Sequence, residues 1–163
     1  MKLISPLLIS ALAFVVAPTM SQGTPSNTTR YPTLGGIGIG VTNMTASAKW
    51  YIDVLGMKDT GTRYYTAQFD EIVLSMPQPR TGSSLVLMQW KTPKNVTNQA
   101  VKLAYFVESV KGTIEKCRKT GVRIVLEPGS GKVGNTTIPT GMATDPDGYL
   151  LEFNPLSSLP KLP

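Results

Sequence analysis

One order of elements occurs twice along this chain, and that repeat limits the fold more than any single motif does. Leu34 to Val41 alternates Gly with Ile and Val, the period-two pattern of a strand. Thr45 to Leu55 is amphipathic with a helical period and closes at Gly56, a natural C-cap residue. Three strand candidates follow, Met57 to Tyr65, Gln68 to Ser75 and Ser83 to Trp90, the last preceded by the turn-rich run Met76 to Gly82. After a polar linker, Lys91 to Gln99, the order starts again. Val101 to Val107 is strand-like, Val110 to Thr120 is helical with Gly121 behind it, and Val122 to Leu126, Thr136 to Thr144 and Tyr149 to Phe153 are three further strands. The reading is βαβββ twice: an α+β domain in which each module buries one helix against one curved sheet, and the two sheets form a cupped half-barrel able to enclose a cavity. The domain runs from 34 to 155, with modules at about 34–91 and 100–155 and a tail at 156–163.

Composition removes several classes of function. The chain has 163 residues and no His at all, so the commonest general base and the commonest metal ligand are both missing. A formal charge of +6 is scattered without a run of five like charges, which gives no footprint for nucleic acid. Cys117 is alone, so no disulfide forms within the chain; its place in an amphipathic stretch favours a buried small apolar residue over a nucleophile. At the N-terminus, Lys2 precedes an apolar run from Leu7 to Val16 broken only by Ser10, and small residues follow at Thr19 to Gly23. This pattern predicts a cleaved secretory signal peptide over 1–23, then a flexible segment over 24–33. The apolar run is about half of what spans a bilayer, so no stable membrane anchor is expected. Secretion would expose four Asn-x-Ser/Thr sequons, and Asn27 and Asn95 are the expected glycosylation sites; Asn43 and Asn135 stay open, Asn43 because its side chain could cap a helix.

The run Gly36 to Asn43, then Ser47-Ala-Lys-Trp50-Tyr51-Ile-Asp-Val-Leu55-Gly56-Met57, resembles the opening of a vicinal oxygen chelate domain of the glyoxalase, bleomycin-resistance and extradiol dioxygenase superfamily. Leu103 to Glu108, Thr113 to Gly121 and the closing Asp145-Pro146-Asp147-Gly148-Tyr149-Leu-Leu-Glu152-Phe153 resemble its second module. The resemblance spans about Leu34 to Pro155 and implies a small-molecule substrate or ligand, with the cup built either within one chain or across a homodimer. It also implies one metal ligand from each of four strands, which would fall at Gly36, at or next to Leu87, at Lys102 and at Glu152. Only Glu152 keeps a ligand-type side chain; Gly36 and Leu87 offer no donor, and an ammonium repels a metal. No metal and no other cofactor is therefore expected, and the metal-dependent glyoxalase reaction is disfavoured.

Strand parity names what else should line the cup. Gly36, Gly38 and Gly40 share one face, opposite Ile37, Ile39 and Val41, and a glycine face leaves room either for a ligand or for large side chains from a facing sheet. The same parity groups Leu85, Leu87 and Gln89, then Lys102, Ala104 and Phe106, then Leu150, Glu152 and Asn154. Tyr105 falls on the opposite, helix-facing side. Lys102 and Glu152 thus point into one cavity, either as a metal-independent catalytic pair in which Glu152 moves a proton and Lys102 stabilises an oxyanion, or as a structural ion pair. The loop Glu127 to Asn135 lacks the spacing of a phosphate-binding loop but could bring Lys132 to an anionic group at the rim. Two functions remain. One is a secreted, metal-independent isomerase, lyase or cyclase; the other is a non-catalytic ligand-binding module of the same fold.

Overall fold

A computed structural model describes residues 34–77, 83–95, 100–133 and 135–159, without the side chains of 130–133 and 138. The signal-peptide and flexible-segment expectations, and Asn27 with them, lie outside the described residues.

The first module runs β1 (Gly36–Gly40), α1 (Met44–Leu55), β2 (Lys58–Tyr65), β3 (Phe69–Ser75) and β4 (Ser84–Trp90). The second repeats it as β5 (Lys102–Val107), α2 (Val110–Lys119), β6 (Ile124–Val133), β7 (Thr136–Thr144) and β8 (Leu150–Pro155), followed by one 3-10 turn, Leu156–Ser158. Each module makes one four-stranded sheet, in the orders β1-β4-β3-β2 and β5-β8-β7-β6, and neither closes into a barrel. In both, the first strand pairs parallel with the last, which the intervening helix makes possible, and the other pairings are antiparallel.

Local chemistry starts and stops the helices in matching places. Asn43 Oδ1 accepts from the Ala46 amide at 3.0 Å, and Ser109 Oγ accepts from the Gly112 amide at 3.0 Å, so each helix opens on a side-chain cap. Gly56 ends α1 in the left-handed region at φ 71°, where its amide donates to the Ile52 carbonyl. One face of each sheet is covered by its helix. Ile39, Ile72, Leu74, Leu85 and Leu87 are buried with Ala48, Tyr51 and Val54 of α1, and Leu103, Ala143, Leu151 and Phe153 with Val110, Ile114 and Cys117 of α2. Burying each large side chain in this set contributes about 1.5–3 kcal/mol. Tyr105 packs on the same side, its ring 6.1 Å from that of Phe153.

A polar joint ties the modules together. The Asp145-Pro-Asp-Gly turn before β8 inserts two buried carboxylates beside the start of α1. Asp147 Oδ1 accepts from the Thr42 amide (2.8 Å) and hydroxyl (2.7 Å), Asp147 Oδ2 accepts from Ser47 Oγ (2.6 Å), and Asp145 Oδ2 accepts from the Tyr51 hydroxyl (2.7 Å). Trp50 Nε1 adds a bond to Thr120 Oγ1 at 2.9 Å between the two helices.

One segment differs from the sequence reading. Glu127 to Asn135 was expected as a loop, but β6 continues through Val133 and pairs with β7, with a register shift between Leu126 and Gly129 that absorbs the Pro-Gly pair. Lys132 therefore sits in a hairpin strand opposite Thr137 and not in a rim loop. No helix among the described residues is long and apolar enough to cross a membrane.

Candidate functional site

Because residues alternate between faces, the pairing register fixes which side chains occupy the two helix-free faces. In the first sheet Gly36 pairs with Ser84, Gly38 with Val86 and Gly40 with Met88, while Ile37 and Ile39 pair with Leu85 and Leu87. The last two are buried in the core. The expected placement of Leu87 and Gln89 in the cup is thus corrected by one residue. Leu87 is fully buried toward α1, and Gln89 Oε1 accepts from the Met44 amide at 2.8 Å at the head of the helix. The alternation in β4 is apolar on both faces, so composition alone did not mark its phase. Val86, Met88 and Trp90 are the residues that share a face with the glycines.

Gly36, Gly38 and Gly40 do lie on the helix-free face. The space above Gly38 is taken by Met88: a Cβ built there would stand 2.8 Å from its Sδ. A thioether on a flexible stem, from the neighbouring strand of the same sheet and not from a facing sheet, fills the space at Gly38.

In the second sheet Lys102 pairs with Leu150, Ala104 with Glu152 and Phe106 with Asn154, all on the helix-free face. Lys102 Nζ and Glu152 Oε2 form an ion pair, with the Lys side chain 50% exposed and the Glu 16%. The other carboxylate oxygen, Oε1, accepts from Asn154 Nδ2 at 3.2 Å, and Asn154 Oδ1 accepts from Thr140 Oγ1 at 3.0 Å. Lys102 first and Asn154 after it hold the Glu152 carboxyl below its ordinary range against the opposing effect of burial. Of the two residues that anchor this row, parity had grouped Asn154 with Glu152 without giving it a role, and Thr140 was not singled out from sequence. Nothing in the pattern distinguishes a buried polar bridge from a polar surface position.

The matching registers let the modules be compared site by site. Glu152 lies two residues beyond Leu150, the partner of Lys102; Val86 lies two beyond Ser84, the partner of Gly36. The four positions where the resemblance implies metal ligands are therefore Gly36, Val86, Lys102 and Glu152. Among the described residues, no three His, Cys, Asp or Glu side chains come together as a group that could hold a metal ion.

Other candidate residues separate from this face. Cys117 is buried, and burial pushes its thiol up to about 11. Burial likewise raises the Tyr105 hydroxyl. Asn95 is exposed in the linker; Asn43 spends its side-chain oxygen on the α1 cap, and Asn135 is exposed at the β6–β7 turn.

Comparison with known proteins agrees with this architecture. The Glyoxalase/Bleomycin resistance protein/Dioxygenase superfamily pattern matches residues 33–153, and the chain belongs to that superfamily. A protein of Synechocystis sp. named "Probable lactoylglutathione lyase" is 31% identical over 123 residues, covering 74% of this chain and 92% of that protein. Among solved structures, the trypanothione-dependent glyoxalase I of Leishmania major aligns with a TM-score of 0.61 at 20% identity, over 79% of this chain and 90% of its own. An antibiotic-binding protein from Streptomyces sp. aligns with a TM-score of 0.58 at 15% identity, over 78% and 98%. At these identities the structural likenesses establish the fold alone.

Proposed function

We propose that this protein is exported and binds a small organic molecule on the helix-free sheet faces without a resident metal. The observation that carries this reading is the Lys102–Glu152 pair, standing where the superfamily pattern implies two metal ligands. The donor set does not fit a divalent ion: Gly36 and Val86 supply no donor, Lys102 supplies a cation, and the single carboxylate has both oxygens engaged. The same engagement argues for binding over proton transfer by Glu152. A carboxylate held ionised by an ammonium and an amide is a weak base, and it carries no proton to give near neutral pH. Export is supported by the N-terminal pattern of Lys2 and the apolar run after it.

A second reading rests on the Synechocystis relative, whose name assigns it a lyase activity on lactoylglutathione. The two separate cleanly. The dialysed protein is analysed for metals and assayed for interconversion of lactoylglutathione with and without added zinc or nickel. Less than a tenth of an equivalent of metal, with no turnover under either condition, is the expected result. Stoichiometric metal, or turnover that appears on adding it, overturns the proposal in favour of the lyase.

A further inference from the structure

Resting on the small-molecule reading above, we infer that the second sheet selects a ligand presenting an acceptor oxygen, a carboxylate or conjugated carbonyl, on an apolar body, and rejects a cationic one. The argument lies in the direction of the polar row. Thr140 donates to Asn154, Asn154 donates to Glu152, and the Lys102 ammonium closes on the other oxygen of the same carboxylate. Every donor in the row runs toward Glu152, whose negative charge is spent inside the row. Asn154 and Thr140 are buried, and Glu152 nearly so; Lys102 alone keeps half of its side chain in solvent. An ammonium has three N–H donors and no acceptor, so what the row shows to an incoming molecule is donor and positive.

The neighbours of Lys102 supply the apolar contact. Ala104, small and exposed, is next on this face of β5, with the half-buried Phe106 beyond it; Leu150 lies beside Lys102 and Met142 beside Glu152. Same-face residues along a strand are about 6.6 Å apart. An oxygen held at Lys102 therefore lays a ring-sized body over Ala104 toward Phe106. A cationic ligand meets the ammonium first and finds each carboxylate oxygen already holding a donor of the row, with the Glu152 side chain only 16% exposed. The corresponding positions of the first sheet, Gly36 and Val86, carry no ionisable group; the carboxylate on that sheet's helix-free face is Glu71, opposite Met88 and two strands away from Gly36.

Three fluorescent probes with one shared body test the inference on the full mature chain: naphthoate, acetylnaphthalene and naphthylmethylamine. The acid and the ketone should bind at least about tenfold more tightly than the amine, the lower range for one hydrogen bond to a charged group. The isosteric, charge-free double variant Lys102→Met with Glu152→Gln should weaken the acid by about 10–100-fold and abolish the preference, and Lys102→Arg should keep it. Equal or tighter binding of the amine overturns this inference and leaves small-molecule binding standing. A preference that survives in the double variant removes Lys102 as its source and overturns it as well. Failure of all three probes to bind overturns both the inference and the reading beneath it.

Discussion

The two modules share a backbone plan and solve the same packing problem with opposite side chains. Counting from the caps Asn43 and Ser109, Ala48 of α1 corresponds to Ile114 of α2, and both are buried against the sheet. Counting across the ladders, Ile72, paired with Leu87, corresponds to Gly141, paired with Phe153. In the first module the helix residue is small and the strand residue large, and both are buried. In the second a large helix residue stands over glycine, where a Cβ would come within 2.8 Å of Ile114 Cγ1 and 3.1 Å of Val110 Cγ1. At this position the large side chain belongs to the strand in one module and to the helix in the other. The helix-free faces have no such shared constraint, and there the modules diverge in chemistry, Gly36 and Val86 against Lys102 and Glu152. The repeated fold thus accepts opposite size choices on its packed side and leaves its open side to specialise.

The largest effect should come from breaking the size pairing. Ile114→Ala empties a fully buried site and should cost about 2–5 kcal/mol in urea denaturation. Gly141→Ala overfills the same space and should cost about 1–3 kcal/mol. Combined, the two should cost clearly less than their sum, because the new methyl occupies part of the cavity. Additive losses would show that helix and sheet do not share this volume and would dissolve the comparison.

The next effect concerns the joint, where the second module's turn grips the first module's helix. Asp147→Ala leaves the Thr42 amide, the Thr42 hydroxyl and Ser47 Oγ without their acceptor. Each buried, unsatisfied group costs about 1–3 kcal/mol, reduced here because the Thr42 site is only partly buried. Both tryptophans, Trp50 and Trp90, belong to the first module, so fluorescence reports that module while far-ultraviolet circular dichroism reports both. The two signals should unfold together in the parent protein and separate in Asp147→Ala. Coincident curves in the variant would mean that the apolar core alone couples the modules.

The element order, the helix ends and the superfamily were legible in the sequence because each has a local cause: period, a capping side chain, a glycine at φ above zero. Lys102 and Glu152 could be put on one face because each is a charged residue beside a buried leucine, Leu103 and Leu151, so parity turns both away from the core. The phase of β4 could not be read, since Leu85, Val86, Leu87 and Met88 are apolar on both sides and only pairing with β1 decides which pair turns inward. The joint was hidden for a different reason. Asp145 and Asp147 read as a turn, and their partners Thr42, Ser47 and Tyr51 stand about a hundred residues earlier, a distance over which no local pattern carries. Ser47 and Tyr51, one helical turn apart on the buried face of α1, were the available signal that something polar docks there.

The smallest effect, and the one that sharpens the contrast between the open faces, comes from Lys102→Met. A fully buried pair would lose several kcal/mol, but Lys102 is half-exposed and solvent screens it, so about 1 kcal/mol is expected near neutral pH. Its dependence on pH identifies the source. The Glu152 carboxyl is held below its ordinary value of 4.5 in the folded protein, chiefly by Lys102. The stability gained from this pair is therefore fully present above that value and is lost as pH falls through the lower, folded one. Urea midpoints of parent and variant should differ at neutral pH and converge in acid, while the double change with Glu152→Gln should recover much of the neutral-pH loss. A difference that persists unchanged at low pH would arise from the Lys102 methylene stem packing on the sheet and not from its charge. The polar row would then end at Asn154, leaving the Lys102 position of the second module as uncharged in effect as its counterpart Gly36.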